Sequence, residues 1–222
     1  MTPSRAAAGE DGAQAAARAR LVAELRRSGI GDPRILDAIG RVPRHRFVDQ
    51  AWHADAYKNR PLPIGHGQTI SQPYVVALMT QLLLDGGSRP RVLEVGTGSG
   101  YQTALLAELV PAVFSIERLR ALSERARALL RELGYRNVHF GYSDGHGGWP
   151  AHAPYAGILA TAAAEEVPEP LLAQLGHRGR MVIPIGPAGG TQKLLVIDRT
   201  ARGWQRREAG VVAFVPFLPG RG

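Results

Sequence analysis

A chain of 222 residues, 45% hydrophobic, 21% charged and 6% aromatic, has the length and apolar content of one globular domain and is too short for two ordinary ones. Its 27 Lys and Arg against 19 Asp and Glu give a formal charge of +8, yet the cations are nearly all arginine, scattered from Arg5 to Arg221 among acids. No block of like charge forms, so a generally basic surface is expected and no dedicated nucleic-acid site. The absence of cysteine excludes disulfides, thiolate metal sites and a cysteine nucleophile. With no signal-peptide core and no apolar run of about 18 residues, a cytoplasmic protein without membrane contact is expected.

Residues 1–12 are small, polar and aperiodic and read as a flexible tail; 13–222 read as one domain, with a helical cap over 13–90 and an α/β core over 91–222. The alanine-rich stretch 13–27 predicts a helix. Asp32-Pro33 predicts a second, with Asp32 as N-cap and Pro33 at the first helical position, ending near Gly40. Prolines and glycines between Val42 and Gln68 predict an irregular but packed segment. Ser71 followed by Gln72-Pro73 opens an amphipathic helix that closes at Asp85-Gly86-Gly87.

Beyond Arg91 the pattern alternates. Strands are predicted at 91–95, 112–116, 138–142, 155–160, 181–185, 193–198 and 211–215, with helices at 101–109, 119–133 and 169–175. Such alternation implies right-handed crossovers and a doubly wound, mostly parallel sheet of seven strands. No helix-length segment separates the last two strands, and Arg202-Gly203 supplies a turn, so they form an antiparallel hairpin.

The stretch Val92-Leu93-Glu94-Val95-Gly96-Thr97-Gly98-Ser99-Gly100-Tyr101 is a buried strand, a glycine loop and a helix start. Its G-x-G-x-G spacing is neither the G-x-G-x-x-G of dinucleotide folds nor a P-loop, and no lysine follows. Glu94 ahead of the loop suits a ligand with a cationic end. Glu117 ends the next strand, 19 residues beyond Gly98, where an acid accepts hydrogen bonds from two ribose hydroxyls. Asp144 follows the third strand and can accept from an adenine amino group. Each acid alone reads as a solvated loop acid or a helix cap; three after successive strands describe an S-adenosylmethionine site.

Leu62-Pro63-Ile64-Gly65-His66-Gly67-Gln68-Thr69-Ile70-Ser71-Gln72-Pro73-Tyr74, taken with the glycine loop, closely resembles the protein-L-isoaspartate (D-aspartate) O-methyltransferase family. The resemblance runs from about Val42 to Phe217 and includes Val42-Pro43-Arg44, Asp144-Gly145, Gly148-Trp149, Thr161-Ala162-Ala163 and Pro184-Ile185-Gly186. It implies a Rossmann-like class I methyltransferase with an N-terminal helical extension. The implied reaction methylates the free α-carboxylate of L-isoaspartyl residues, and the side-chain carboxylate of D-aspartyl residues, in damaged proteins and peptides. The ester then leaves as a succinimide that can reopen to aspartate.

The same resemblance implies Ser71 as the active-site serine. Gln68, Thr69, Ile70, Ser71, Glu94, Gly96, Thr97, Gly98, Gly100, Glu117, Arg118, Asp144 and Gly145 form the expected S-adenosylmethionine set, with S-adenosylhomocysteine as product and no metal. Thr69, Ser71, Val215 and Phe217 form the expected substrate set. Two positions depart from the family pattern: Ala156 follows Tyr155 where aspartate is usual, and Ser143 stands where glycine usually precedes Asp144.

The chemistry is consistent with these residue types. A carboxylate is ionised near neutral pH, so its attack on a sulfonium methyl needs no general base, and one hydroxyl can orient it. The alternative for Ser71 is a cap on the following helix. The seven histidines form no H-x-x-x-H pair, and Trp52, Trp149 and Trp204 read as packing anchors. Rival functions are a peptide aspartate O-methyltransferase of natural-product biosynthesis, a nucleic-acid methyltransferase, and a non-catalytic adenosylmethionine sensor. The nucleic-acid enzyme's usual Asn/Asp-Pro-Pro-aromatic motif is replaced here by Ala160-Thr161-Ala162-Ala163-Ala164.

Overall fold

The computed structural model describes residues 12–222. Of the expected tail only Gly12 falls among them, as the first residue of helix α1 (Gly12–Arg27); residues 1–11 lie outside the described part. Helix α2 (Pro33–Arg41) starts as its sequence dictates: the Asp32 carboxylate accepts from the Arg34 N–H at 2.9 Å, and Pro33 occupies the first position. Helix α3 (Pro73–Leu84) completes the cap.

The core follows as β3 (Arg91–Val95), α4 (Tyr101–Leu109), β4 (Ala112–Glu117), α5 (Arg120–Glu132), β5 (Val138–Tyr142), β6 (Tyr155–Ala160), α6 (Glu169–Gln174), β7 (Leu175–Ile185), β8 (Gln192–Thr200) and β9 (Gly203–Val212). These seven strands form one sheet in the order β5-β4-β3-β6-β7-β8-β9. The first five in that order are parallel, while β7–β8 and β8–β9 pair antiparallel. Strand order reverses between β3 and β6, the place where open α/β sheets bind ligands at their carboxyl ends.

Alternate residues of each central strand feed opposite cores. Val92, Val113, Leu159 and Val182 pack with the buried residues of α1 to α5. Leu93, Phe114, Ile158 and Met181 pack with Leu171 and Leu172 of α6. A strand apolar on both faces is the signature of a parallel sheet covered on both sides.

Three segments differ from the sequence expectation. The irregular stretch 42–68 contains a hairpin, β1 (Leu62–Gly65) with β2 (Gln68–Ile70), turned by Gly65, His66 and Gly67, all at positive φ. Strand β7 begins at Leu175 rather than 181. The last strand occupies Gly203–Val212 rather than 211–215, because an edge strand needs no apolar run: residues 203–208 are all exposed. The chain leaves the sheet after Val212, and residues 211–215 wall a cleft.

Gly100, at φ +88, turns the chain into α4 where it crosses α5. A Cβ there would stand 2.6 Å from Leu130 Cδ1 and 3.2 Å from Ala126 Cβ. Gly100→Ala therefore combines overpacking with left-handed strain, about 2–4 kcal/mol together. Urea unfolding should show a lower midpoint at unchanged m value.

Candidate active site

The carboxyl ends of β3, β4, β5 and β6 converge on a cleft. The glycine loop after β3 forms its floor. In that loop Gly96 and Gly98 have φ +97 and +54, and a Cβ on Gly96 would collide with the Thr161 hydroxyl. Only glycine satisfies both the dihedral and the close approach. The loop is bound to the neighbouring strand by the Gly96 and Thr97 N–H groups, which donate to Ile116 O at 2.8 and 3.2 Å.

Glu117, at the end of β4, is nearly buried. Its Oε2 accepts from Gly98 N at 2.8 Å, and its Oε1 accepts from Arg118 N and Leu119 N at 2.9 and 3.0 Å. Three of a carboxylate's roughly four lone-pair sites are thus filled by backbone donors. One site on Oε2 remains for a hydroxyl of the cleft's occupant, so the expected pair of direct ribose bonds requires Gly98 N–H to yield. Hairpin β1–β2 and residues 215–218 roof the cleft, bringing in Gln68, Thr69, Ile70 and Ser71 from one side and Val215 and Phe217 from the other. The roof is tied to the sheet by Ala163 N donating to Val215 O and Phe217 N donating to Ala163 O, both at 2.8 Å.

Three residues expected at the cofactor do not line this cleft. Glu94 is fully buried beneath the loop, where Thr103 and Ser115 hydroxyls each donate to its Oε2 at 2.5 Å. Burial pushes its pKa from the ordinary 4.5 up to about 8, so at neutral pH it carries a proton and offers no charge to a cationic ligand. Gly100 faces α5, as described above. Asp144 stands beside the cleft without lining it: Oδ1 accepts from His146 N at 2.9 Å and Oδ2 from Gly220 N at 2.5 Å. Its neighbours Ser143 and Gly145 line the cleft in its place.

Ser71 does not cap α3, which begins at Pro73 after Gln72 with no side-chain cap. The serine lines the first cleft and also a second, bounded by Pro61, Gln72, Thr191 and residues 211–215. The two clefts share Thr69, Ser71, Thr161 and Val215. Thr161 was not singled out as a site residue from the sequence, although it directly follows β6 and so sits at a carboxyl end like the others. Its hydroxyl donates to Gly96 O at 2.7 Å, joining β6 to the glycine loop. Among the described residues no three His, Asp or Glu side chains group closely enough to hold a metal ion, and no helix is long and apolar enough to cross a membrane.

The sequence model of the protein-L-isoaspartate(D-aspartate) O-methyltransferase family matches residues 16–221. The chain belongs to this family. A protein-L-isoaspartate O-methyltransferase of Alkalilimnicola ehrlichii is 55% identical over 203 residues, covering 91% of this chain and 92% of the relative. One from Pseudomonas fluorescens is 53% identical over 203 residues, covering 91% and 96%. A solved protein-L-isoaspartate O-methyltransferase superposes with a TM-score of 0.83 at 29% identity, over 92% of this chain and 67% of that one. A Plasmodium falciparum structure carrying the same methyltransferase name, in complex with S-adenosyl-L-homocysteine, gives 0.77 at 26% identity over 90% and 98%.

Membership of the isoaspartate methyltransferase family accounts for the fold and the glycine loop, and the structure adds what lies beneath that loop. Because native Glu94 keeps a proton that the unfolded chain has released, its contribution to stability falls as pH rises from about 4.5 to about 8. Glu94→Gln cannot titrate. Its urea midpoint should lack that fall when unfolding is followed across the same window, whereas a slope equal to that of the wild type would place the buried proton elsewhere.

Proposed function

We propose that this chain transfers a methyl group from S-adenosylmethionine to the free α-carboxylate of L-isoaspartyl residues in damaged proteins and peptides. The reading is carried by the meeting of two clefts at Thr69, Ser71, Thr161 and Val215, one built for a small ligand over a glycine loop and one open to a strand edge. The first fits the cofactor: Gly96 and Gly98 line its floor with bare backbone, and Glu117 is fixed by three N–H donors with an acceptor site to spare. When bound there, the cofactor supplies a sulfonium-activated methyl group.

The protein's own residues position and enclose. Ser71, half-buried at the junction, orients the incoming carboxylate through its hydroxyl, and Thr69 stands beside it. No side chain removes a proton, since the nucleophile is already ionised. Phe217 and Val215 close the roof, which excludes water and strips solvent from the reacting charges. Because methyl transfer neutralises the carboxylate, this exclusion favours the less polar transition state. The cleft along residues 211–215 takes an extended peptide more readily than a flipped base, which favours a protein substrate over nucleic acid.

Glu117→Ala removes a charge-assisted acceptor worth about 1.5–3 kcal/mol, so calorimetric affinity for S-adenosylhomocysteine should fall at least about tenfold. Ser71→Ala should lower turnover on an isoaspartyl peptide by roughly 10- to 1000-fold, about 1.4–4 kcal/mol of positioning, with cofactor affinity nearly unchanged. Assayed with labelled S-adenosylmethionine, the wild type should methylate the isoaspartyl peptide and not its aspartyl counterpart. Equal methylation of both would favour a biosynthetic peptide substrate instead.

A further inference from the structure

Arg44 is fully buried and heads the fully buried side chains by volume. It lies on a short 3-10 turn, Arg44–Phe47, behind the substrate junction. Its Nε donates to Ala56 O and its Nη2 to Ser71 O, each at 2.8 Å. The guanidinium carbon sits 4.8 Å over the ring of Tyr101, which lines the cofactor cleft. Nη1 and the Tyr101 hydroxyl are both buried without a hydrogen-bond partner among the described residues.

Among the described residues no carboxylate pairs with this cation; the titratable groups acting on it are the phenols of Tyr101 and Tyr57. Burial pulls its pKa down to about 10, which leaves it charged at neutral pH. A buried cation without a counter-ion is costly, and a strap between two backbone carbonyls does not need a charge. Where water is excluded its field also reaches farther than at the surface.

We infer that Arg44 is a positioning and charge-selecting residue for the substrate carboxylate, holding Ser71 by its carbonyl while its positive field favours an anionic group at the Ser71 hydroxyl. The inference rests on the reading that Ser71 seats that carboxylate. Its consequence is directional. Methylation turns the anion into a neutral ester, so the attraction that draws substrate in is absent for product, and release is favoured without any movement of the site.

The test compares binding of an isoaspartyl peptide with that of the same peptide bearing a carboxamide in place of the α-carboxylate, by calorimetry on enzyme saturated with S-adenosylhomocysteine. The wild type should prefer the carboxylate by about tenfold or more. Arg44→Gln removes the charge while its amide, which reaches only as far as Nε, keeps a donor for Ala56 O, and it should bring the ratio near one while S-adenosylhomocysteine affinity stays within a few-fold. A ratio that survives in Arg44→Gln reduces Arg44 to a strap and overturns the inference.

If Arg44→Gln fails to bind S-adenosylhomocysteine, Arg44→Lys decides. A lysine fully buried beside the Tyr101 and Tyr57 phenols should lose its proton about 3–5 units below its ordinary value, and the ratio should fall across about pH 5 to 8 in the variant but not in the wild type. A ratio that stays at the wild-type value throughout in the variant overturns the inference. A wild type that methylates the isoaspartyl peptide yet binds both peptides equally overturns it alone. A wild type that methylates no isoaspartyl peptide removes the functional reading beneath it.

Discussion

The glycine loop is clamped between two carboxyl groups, and the cleft takes its shape from that clamp. From the cleft side, Glu117 accepts the Gly98 N–H at 2.8 Å. From beneath, protonated Glu94 receives the Ser115 hydroxyl, and Ser115 in turn meets the Thr97 hydroxyl at 2.6 Å. Thr103 joins the same Glu94 oxygen from α4, so strand, loop and helix share one buried polar network. With the loop fixed before any ligand arrives, the cofactor has little to order on binding. The two acids have opposite tasks: one remains available at the cleft, the other is withdrawn from it.

How much of this was legible in the sequence depended on the kind of signal. Strands 91–95 and 155–160 and helix 101–109 coincide with the observed elements, because apolar runs bounded by glycine or proline leave few alternatives in a sheet buried on both faces; the edge strand 138–142 coincides as well, though none of its residues is fully buried. The edge strand β9 was displaced because its residues 203–208 are solvated and alternate with nothing buried. Hairpin β1–β2 was hidden by its prolines and by a turn whose three positive-φ residues include a histidine. In each case the missing information was which neighbour the segment would meet.

The site divides in the same way. Residues chosen for what glycine permits or for their place after a strand, Gly96, Gly98, Glu117 and Gly145, line the cleft. Glu94 and Asp144, chosen like Glu117 for charge and for their place beside a strand's end, do not line it. Glu94 is one residue short of the strand's end and is buried beneath the loop, and Asp144 spends its oxygens on the backbone of His146 and Gly220. Ser143, which departs from the family's usual glycine, is accommodated in the cleft wall. Arg44 was visible only as part of a family signature; its burial under Ser71 and Tyr101 is a product of tertiary packing that no local pattern announces.

The N-terminal cap and the C-terminal roof are therefore parts of one device, meeting across Thr69, Ser71, Thr161 and Val215. The most direct measurement is a crystal structure with S-adenosylhomocysteine and an isoaspartyl peptide bound together. The account predicts the ribose on Glu117, the peptide along residues 211–215, and its free α-carboxylate on the Ser71 hydroxyl, in line with the sulfur. A peptide seated elsewhere, or an α-carboxylate turned away from Ser71 while the side-chain amide faces the sulfur, would contradict it.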